Sequence, residues 1–487
     1  MVNDIIKKFQ KSNILLNNNA YSEISSSEDY DYLIGELIRY VEDNDEFIIT
    51  TKTIRDYQQR ERERIHEEIK ENPETKKIRQ TLETPYEILL DTTNKSYTDG
   101  DIQDLNKYFN SRYEKLRKII QQNPEFRTVN DLKTTKQKID SLHSIGIINS
   151  INKTKNGHVI VEIEDPTGDA SVILLKDDED LITQSSSLVK DEVIGVVGST
   201  NGNLIKADEI VHPGVIRQDI SGTAGMDFSI AFISDVHIGS KQFDETAFNR
   251  FIKWVNGNEG DDAKREMANN LKYLVIGGDL VDGIGIYPNQ DKELKIKDIY
   301  DQYEEAARLL GDITDIPIIL SPGNHDATRL AEPQPAITDK YAKGLCEQKN
   351  IEMVSNPSIV NLDGVKVLVY HGRSFDDMVM AMNITHADTD QIMKLLLEKR
   401  HLSPIYGERN ALASEFEDYM VMEEVPDVIH TGHVHINSYT KYKGVHMLNS
   451  GTFQKQTEFQ KIYNIVPTCG QVPILNKGKM KLLDFSS

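Results

Sequence analysis

Residues 230–240, Ile-Ala-Phe-Ile-Ser-Asp-Val-His-Ile-Gly-Ser, end a short apolar run in two metal-capable side chains, Asp235 and His237. At strand spacing, positions i and i+2 share a face, so both can converge on one point just past the strand end. Alone, Asp-x-His is a chance-level pattern. It gains weight from four further motifs, in order along the chain: Gly-Gly-Asp-Leu-Val-Asp-Gly at 277–283, Gly-Asn-His-Asp at 323–326, Tyr-His-Gly at 370–372 and Thr-Gly-His-Val-His at 431–435.

These are carboxylate, imidazole and amide donors, the hard-to-borderline set that suits divalent cations in hydrolytic sites. A two-metal site needs one bridging ligand to hold the ions about 3.5–4 Å apart, so that they clamp attacking and leaving oxygens. Asp235, His237, Asp279, Asn324, His371, His433 and His435 provide seven donors, enough for two ions sharing a bridge. Asp279 follows two glycines at a strand end, where a bridging carboxylate can be approached closely. His325 is left over beside Asn324, placed to touch a phosphate or protonate a leaving alkoxide. Any one of these histidines, taken singly, is more often a surface or hydrogen-bonded residue than a ligand. Gly-Asp-x-x-Asp-Gly on its own is equally well a tight turn. The order and spacing of the set speak for a site; His386, His401, His430 and His446 fall outside it.

The bulk numbers narrow the setting. A chain of 487 residues holds about two to four domains. No stretch is long and apolar enough to cross a bilayer, and the first twenty residues lack the apolar core of a signal peptide. Neither leader nor anchor is expected, and the location expected is cytoplasmic, at the nucleoid. Cys346 and Cys469 lie far apart and outside any CxxC, which excludes a thiolate zinc site and suggests free thiols. The balance of 56 basic against 78 acidic side chains gives a net charge of −22. Proteins that hold DNA unaided carry a basic stripe. If the substrate is a nucleic acid, another chain supplies most of the grip.

The elements that would position the site come last in the chain. Residues 1–71 form a small helical module, with Leu33, Ile34, Leu37, Ile38 and Val41 on one helical face and an Arg/Glu-rich stretch after residue 50. Residues 72–100, with Pro73 and Pro85, read as a tether. Residues 101–217 hold an amphipathic helix over 101–122, carrying Ile102, Leu105, Tyr108, Phe109, Leu116, Ile119 and Ile120. Strand-like runs follow at 140–150, 158–164, 170–175, 192–198 and 204–210, which suggests a small OB-type barrel. Residues 127–217 contain 10 Lys/Arg, 14 Asp/Glu and no Phe, Tyr or Trp. A single-strand platform needs aromatic surfaces in a positive groove, so this barrel is expected to dock a partner. From 226 to 487 strands alternate with helices, and every candidate ligand falls at or just past a strand end. The fold class is multidomain α+β.

With its motifs in this order, the stretch 228–455 resembles the calcineurin-like metallophosphoesterases, helix-flanked β-sandwiches (αββα) with a two-metal site at the strand ends. The resemblance implies that Asp235, His237 and His435 bind one ion, that Asn324, His371 and His433 bind the other, and that Asp279 bridges. It makes His325 the catalytic histidine, with Asp326 orienting it, and points to Mn2+ as the metal. The order of parts goes further. Helical module, tether, barrel and phosphoesterase resemble the small subunits of archaeal family D DNA polymerases, supported by segments 104–118, 163–168, 370–377 and 463–473. Eukaryotic B subunits of replicative polymerases share that order but have lost metal ligands, whereas here each position is filled. The resemblance therefore implies a two-metal 3′–5′ proofreading exonuclease that takes a DNA 3′ end and docks a large catalytic polymerase subunit. A stand-alone phosphoesterase and a non-catalytic scaffold are the alternatives.

Overall fold

The computed structural model describes residues 2–60 and 86–486, apart from 13, 26–29, 45–46, 55, 58–59, 96–97, 203, 216–221, 314 and 463–464. The Arg/Glu-rich stretch beyond residue 60 and most of the expected tether lie outside the described residues. The chain divides into two compact units, Met1–Lys77 and Ile78–Ser487.

The first unit comprises helices Val2–Lys11, Asn18–Ser25 and Tyr30–Asp43, with β1 (Leu15–Leu16) paired in parallel to β2 (Ile48–Ile49). Ile34, Leu37 and Val41 of the expected helical face enter its core with Ile5, Phe9 and Ile24, while Leu33 and Ile38 pack against it.

The second unit opens with a strand where a tether was expected. β3 (Tyr86–Leu90) runs antiparallel to β13 (Ser358–Leu362) as an edge strand, and Tyr86 Oη donates to Glu352 at 2.9 Å. Helix Ile102–Ile120 follows, with Asp101 accepting from Gln103 N and Asp104 N as its N-cap. Tyr113, Leu116, Ile119 and Ile120 pack on Ile145, Ile147 and Val193 of the barrel and on Val421 beyond it. Ile102, expected on that face, is 82% exposed.

The barrel is closed in the order β4-β5-β6-β8-β7: β4 (Lys138–Lys153), β5 (Val159–Asp165), β6 (Gly168–Leu174), β7 (Val193–Asn201) and β8 (Leu204–Val211). Only the β6–β8 pairing in it is parallel. Val161, Ile163, Val172, Leu174, Ile194 and Val196 alternate inward to fill it. Helix Glu179–Ser185, between β6 and β7, was not foreseen.

Two six-stranded sheets make the remainder. One has the order β12-β11-β10-β9-β18-β19, from β9 (Ser229–Ile233), β10 (Leu271–Gly277), β11 (Ile318–Ser321), β12 (Ile351–Met353), β18 (Gln471–Asn476) and β19 (Lys479–Asp484). The other has the order β16-β17-β15-β14-β13-β3, with β14 (Val365–Val369), β15 (Val428–Thr431), β16 (Ser438–Tyr442) and β17 (Val445–Asn449). The period-two rule explains the apolar runs of their central strands. Ile230 and Phe232 of β9 enter a core shared with Val365, Val367 and Val369 of β14. Ala231 and Ile233 face helices Glu245–Val255 and Ile299–Leu310 through Phe248, Phe251 and Tyr303. On the second sheet Leu368 and Ile429 face helices Phe375–Met382 and Thr389–Lys399. The layers are therefore helix, sheet, sheet, helix, and strands buried on both faces need no polar alternation.

Candidate metal centre

Topology brings the motif residues together. β9, β10 and β11 are parallel neighbours, and so are β14 and β15, so the residues just past their C-terminal ends share an edge. Asp235 and His237 follow β9, Asp279 follows β10, Asn324 and His325 follow β11, His371 follows β14, and His433 and His435 follow β15. Asp235, His237, Asp279, His433 and His435 all have φ between +51° and +72°. Left-handed backbone is costly for residues other than glycine and persists where surrounding structure imposes it, typically at functional sites. Close approach also demands glycine at two loops. A Cβ on Gly323 would lie 2.2 Å from Asp279 Oδ1, and one on Gly432 would lie 2.5 Å from Asp235 Oδ2.

The histidines are aimed by their Nδ1 atoms. His371 donates Nδ1–H to Gly277 O at 2.9 Å, His325 to Asp282 O at 2.7 Å, and His237 to the Asp282 carboxylate at 3.0 Å. Each bond fixes the ring and leaves Nε2 facing inward. There, His371 Nε2 lies 3.1 Å from Asn324 Oδ1 and 3.2 Å from Asp279 Oδ2. Asp279 Oδ2 is also 4.0 Å from the Nε2 atoms of both His237 and His325, so it stands between the two halves of the site. His237 and His435 face each other with Nε2 atoms 3.0 Å apart, and Asp235 Oδ1 is 3.3 Å from the latter.

Three donor groups, Asp235/His237/His435, Asp235/Asp279/His371 and His237/Asp282/His325, each gather their ligand atoms within 4.8 Å. Buried carboxylates with inward imidazole nitrogens fit divalent cations. The electrostatics agree. Burial alone would raise Asp279, but the His371 and His325 imidazoles hold its carboxyl well below the usual range. Burial would likewise lower His371, but Asp279 beside it pushes it up to about 10.

One expectation needs revision. Asp326 does not orient His325. Its carboxylate accepts from Gly323 N at 2.9 Å, Leu280 N at 3.3 Å and Tyr303 Oη at 3.1 Å, bracing the loops. Burial, then the charge of Asp279, pushes it up to about 6. The Asp282 carbonyl holds His325 instead. His433 stands apart from the compact groups: its ring centroid is 5.3 Å from that of His371, with Nε2 3.5 Å from Asp376 Oδ2.

The site opens into a cavity of about 600 Å³, lined among others by Tyr287, Leu330, Arg373, Asp376, His386 and Arg409. His386, set aside on sequence grounds, donates to Asp376 at 2.8 Å and so joins this wall.

Residues 230–441 match the family model of the B subunit of DNA polymerase alpha/epsilon. The DNA polymerase II small subunit of Methanothermobacter thermautotrophicus is 52% identical over 494 aligned residues, covering 100% of each chain. The chain belongs to the DNA polymerase II small subunit family of archaea. The small subunit from Archaeoglobus fulgidus is 40% identical across 83% of this chain and 82% of its own, and that from Methanocaldococcus jannaschii is 40% identical across 84% and 70%.

Some site residues of this family member were missed from sequence. Asp282 accepts from His237 and also from Gln290 Nε2 at 3.1 Å and Gln454 Nε2 at 3.0 Å. Gln460 Nε2 lies 2.9 Å from His435 Nδ1. Asp282 was visible inside Gly-Asp-x-x-Asp-Gly; the three glutamines carried no signal. Among the described residues no helix is long and apolar enough to cross a membrane.

Proposed function

We propose that this small subunit is a two-metal phosphodiesterase that removes nucleotides from a DNA 3′ end, within a complex with a large polymerase subunit. The observation that carries this reading is the position of Asp279 Oδ2, 3.2 Å from His371 Nε2 and 4.0 Å from His237 Nε2, where one carboxylate can serve both halves of the site. Asp235, His237 and His435 would hold one ion, and Asn324, His371 and His433 the other, with Asp279 shared; Mn2+ suits these donors. Two such ions supply Lewis acidity to the phosphodiester and to an attacking water. The chain's own residues do the rest. Asp282 and Gly277 O fix the imidazole tautomers. Asp326 holds the Asp279 and Asn324 loops together. His325, oriented by Asp282 O, turns Nε2 toward the reacting group and would deliver a proton to the departing 3′ oxygen.

Sheet layering and the strand-end site support a calcineurin-like domain, and the barrel order β4-β5-β6-β8-β7 supports the OB type. The relatives are named small subunits, and the net charge of −22 with an aromatic-free barrel leaves most DNA binding to the large chain. The test is hydrolysis of a 5′-labelled single strand by the full chain with Mn2+. Ladder formation from the 3′ end, lost in His325→Ala with retained fold, is the expected result; activity undiminished in that variant overturns the assignment.

A further inference from the structure

Arg373 and Arg409 both line the cavity beside His325 and His433. Most other described arginines are engaged: Arg112 with Asp418, Arg250 with Glu259, Arg308 with Glu305, Arg329 with Glu415 and Arg400 with Met422 O. The guanidinium groups of Arg373 and Arg409 make no hydrogen bond or ion pair among the described residues. Glu332 feels the charge of Arg373, but its carboxylate is taken by Tyr370 Oη at 3.0 Å and Asn410 Nδ2 at 2.6 Å. Both arginines are nonetheless held in place through their backbones. Ser374 N, next to Arg373, donates to Tyr370 Oη at 3.0 Å, and Arg409 N donates to Asp377 Oδ1 at 2.8 Å. Asp377 lies on the helix that starts two residues after Arg373, so it ties the two segments together.

We propose that Arg373 and Arg409 form a subsite for a backbone phosphate of a polynucleotide strand, one linkage away from the bond that is cleaved. This rests on the phosphodiesterase reading above. The scissile phosphate already has its recognition groups in the donor set around Asp279 and in His325. Two uncompensated guanidiniums in the same cavity of an acidic protein call for a second anion, and guanidinium matches phosphate bidentately. A cavity of about 600 Å³ takes a nucleotide-sized ligand rather than a lone phosphate. Apolar lining fits the same occupant: Tyr287, with its ring centroid 6.4 Å from that of His325, and the exposed Leu330 offer surfaces for a base. The site is thereby matched to strands carrying at least two consecutive phosphates.

The experiment compares the full chain and its Arg373→Ala and Arg409→Ala variants on two substrates. Bis(p-nitrophenyl) phosphate contains only a scissile diester; a single-stranded oligothymidylate contains neighbouring phosphates as well. The expected result is a loss of kcat/KM on the oligothymidylate, carried by KM, at least tenfold greater than any loss on the small diester. The salt dependence of oligothymidylate binding, measured by fluorescence anisotropy, should fall by a slope of about 0.7 per arginine, whereas Lys479→Ala on exposed β19 should leave it unchanged. Equal losses on both substrates would place the arginines on the scissile group, and no loss on either would leave them without a role; both overturn the subsite. If the unaltered chain hydrolyses neither substrate, the phosphodiesterase reading fails. The anisotropy series then decides the subsite alone, and variants binding as the unaltered chain does would overturn it.

Discussion

His237 donates its Nδ1 proton to the carboxylate of Asp282 at 3.0 Å, and both side chains are buried. Burial alone would raise Asp282, but the His237 ring holds it below the ordinary carboxylate range. That hydrogen bond decides which nitrogen of His237 faces Asp235 and His435. Asp282→Ala frees the ring and removes a charge that makes the imidazole a stronger donor. Such outer partners typically account for about 10–100-fold in metal affinity. We expect Mn2+ binding by isothermal titration to weaken by that factor in Asp282→Ala and by less in Asp282→Asn, which keeps an acceptor. Equal affinity in all three proteins would show that the bond positions nothing.

The His371–Asp279 pair predicts opposite pH behaviour with and without metal. With Asp279 beside it, His371 is pushed up to about 10 from an ordinary value of 6.5. Stabilisation from its protonation is fully present below about pH 6.5 and is lost as pH rises through the folded-state value. Without metal, Tm should therefore decline between pH 7 and pH 10. A coordinated imidazole is deprotonated, so Mn2+ should release protons on binding and bind more tightly as pH rises, flattening that decline. Calorimetry in buffers of different ionisation enthalpy reads the proton release directly. A Tm that falls equally with and without Mn2+ would separate His371 from the metal.

The motif residues were legible because their supporting strands are unusual: β9 and β10 are apolar on both faces, and each ends in residues that only a tight, glycine-assisted turn explains. What escaped has physical reasons. Tyr86–Leu90 alternates only between half-buried and exposed positions, so its pattern resembles a tether until β13 gives it a partner. A proline disfavours a central strand, yet β18 is one; its pairing with β9 begins at Ile474, past Pro473, which pairs only with β19. The family resemblance put Asp326 behind His325, but its carboxylate turns to Gly323 N and Tyr303, a direction that the motif does not encode. His386 reaches the cavity through Asp376 across a turn that carries no motif.

Arg112 has its side chain fully buried on helix Ile102–Ile120, and its guanidinium binds elements far apart in the chain. Nε donates to Asp418 at 2.8 Å, while Nη1 donates to Asp191 O at 2.9 Å in the β7 approach and to Pro404 O at 2.5 Å in the sandwich. The arginine thus couples barrel and sandwich. Arg112→Ala leaves Asp418 charged and buried, with His401 and Met420 N, each at 2.9 Å, as its remaining partners. Removing one partner from such a pair costs about 3–5 kcal/mol. Chemical denaturation should show a loss of that size in Arg112→Ala, partly recovered in Arg112→Lys. A loss under about 1 kcal/mol, the range of exposed pairs, would mean that the pair is solvated in solution.

Gly432 separates support of the site from support of the fold. It lies between β15 and His433, and its own φ is not in the left-handed range, so an alanine there strains no backbone angle. The difficulty is steric: its Cβ would meet Asp235 Oδ2 and Ser234 Oγ, each at 2.5 Å. Asp235 is also the acceptor for His433 N, at 3.0 Å from Oδ2, so a displaced carboxylate loosens both motifs at once. Packing defects of this kind move donors by several tenths of an ångström, and metal sites tolerate little such error. Gly432→Ala should lower Mn2+ affinity at least about tenfold while far-ultraviolet circular dichroism stays as in the unaltered chain. Gly364→Ala, at a turn with open space around it but φ +92°, is the matching control: it should reduce stability and spare metal binding. If both variants bound Mn2+ alike, the close approach of Gly432 to Asp235 would have no part in forming the site.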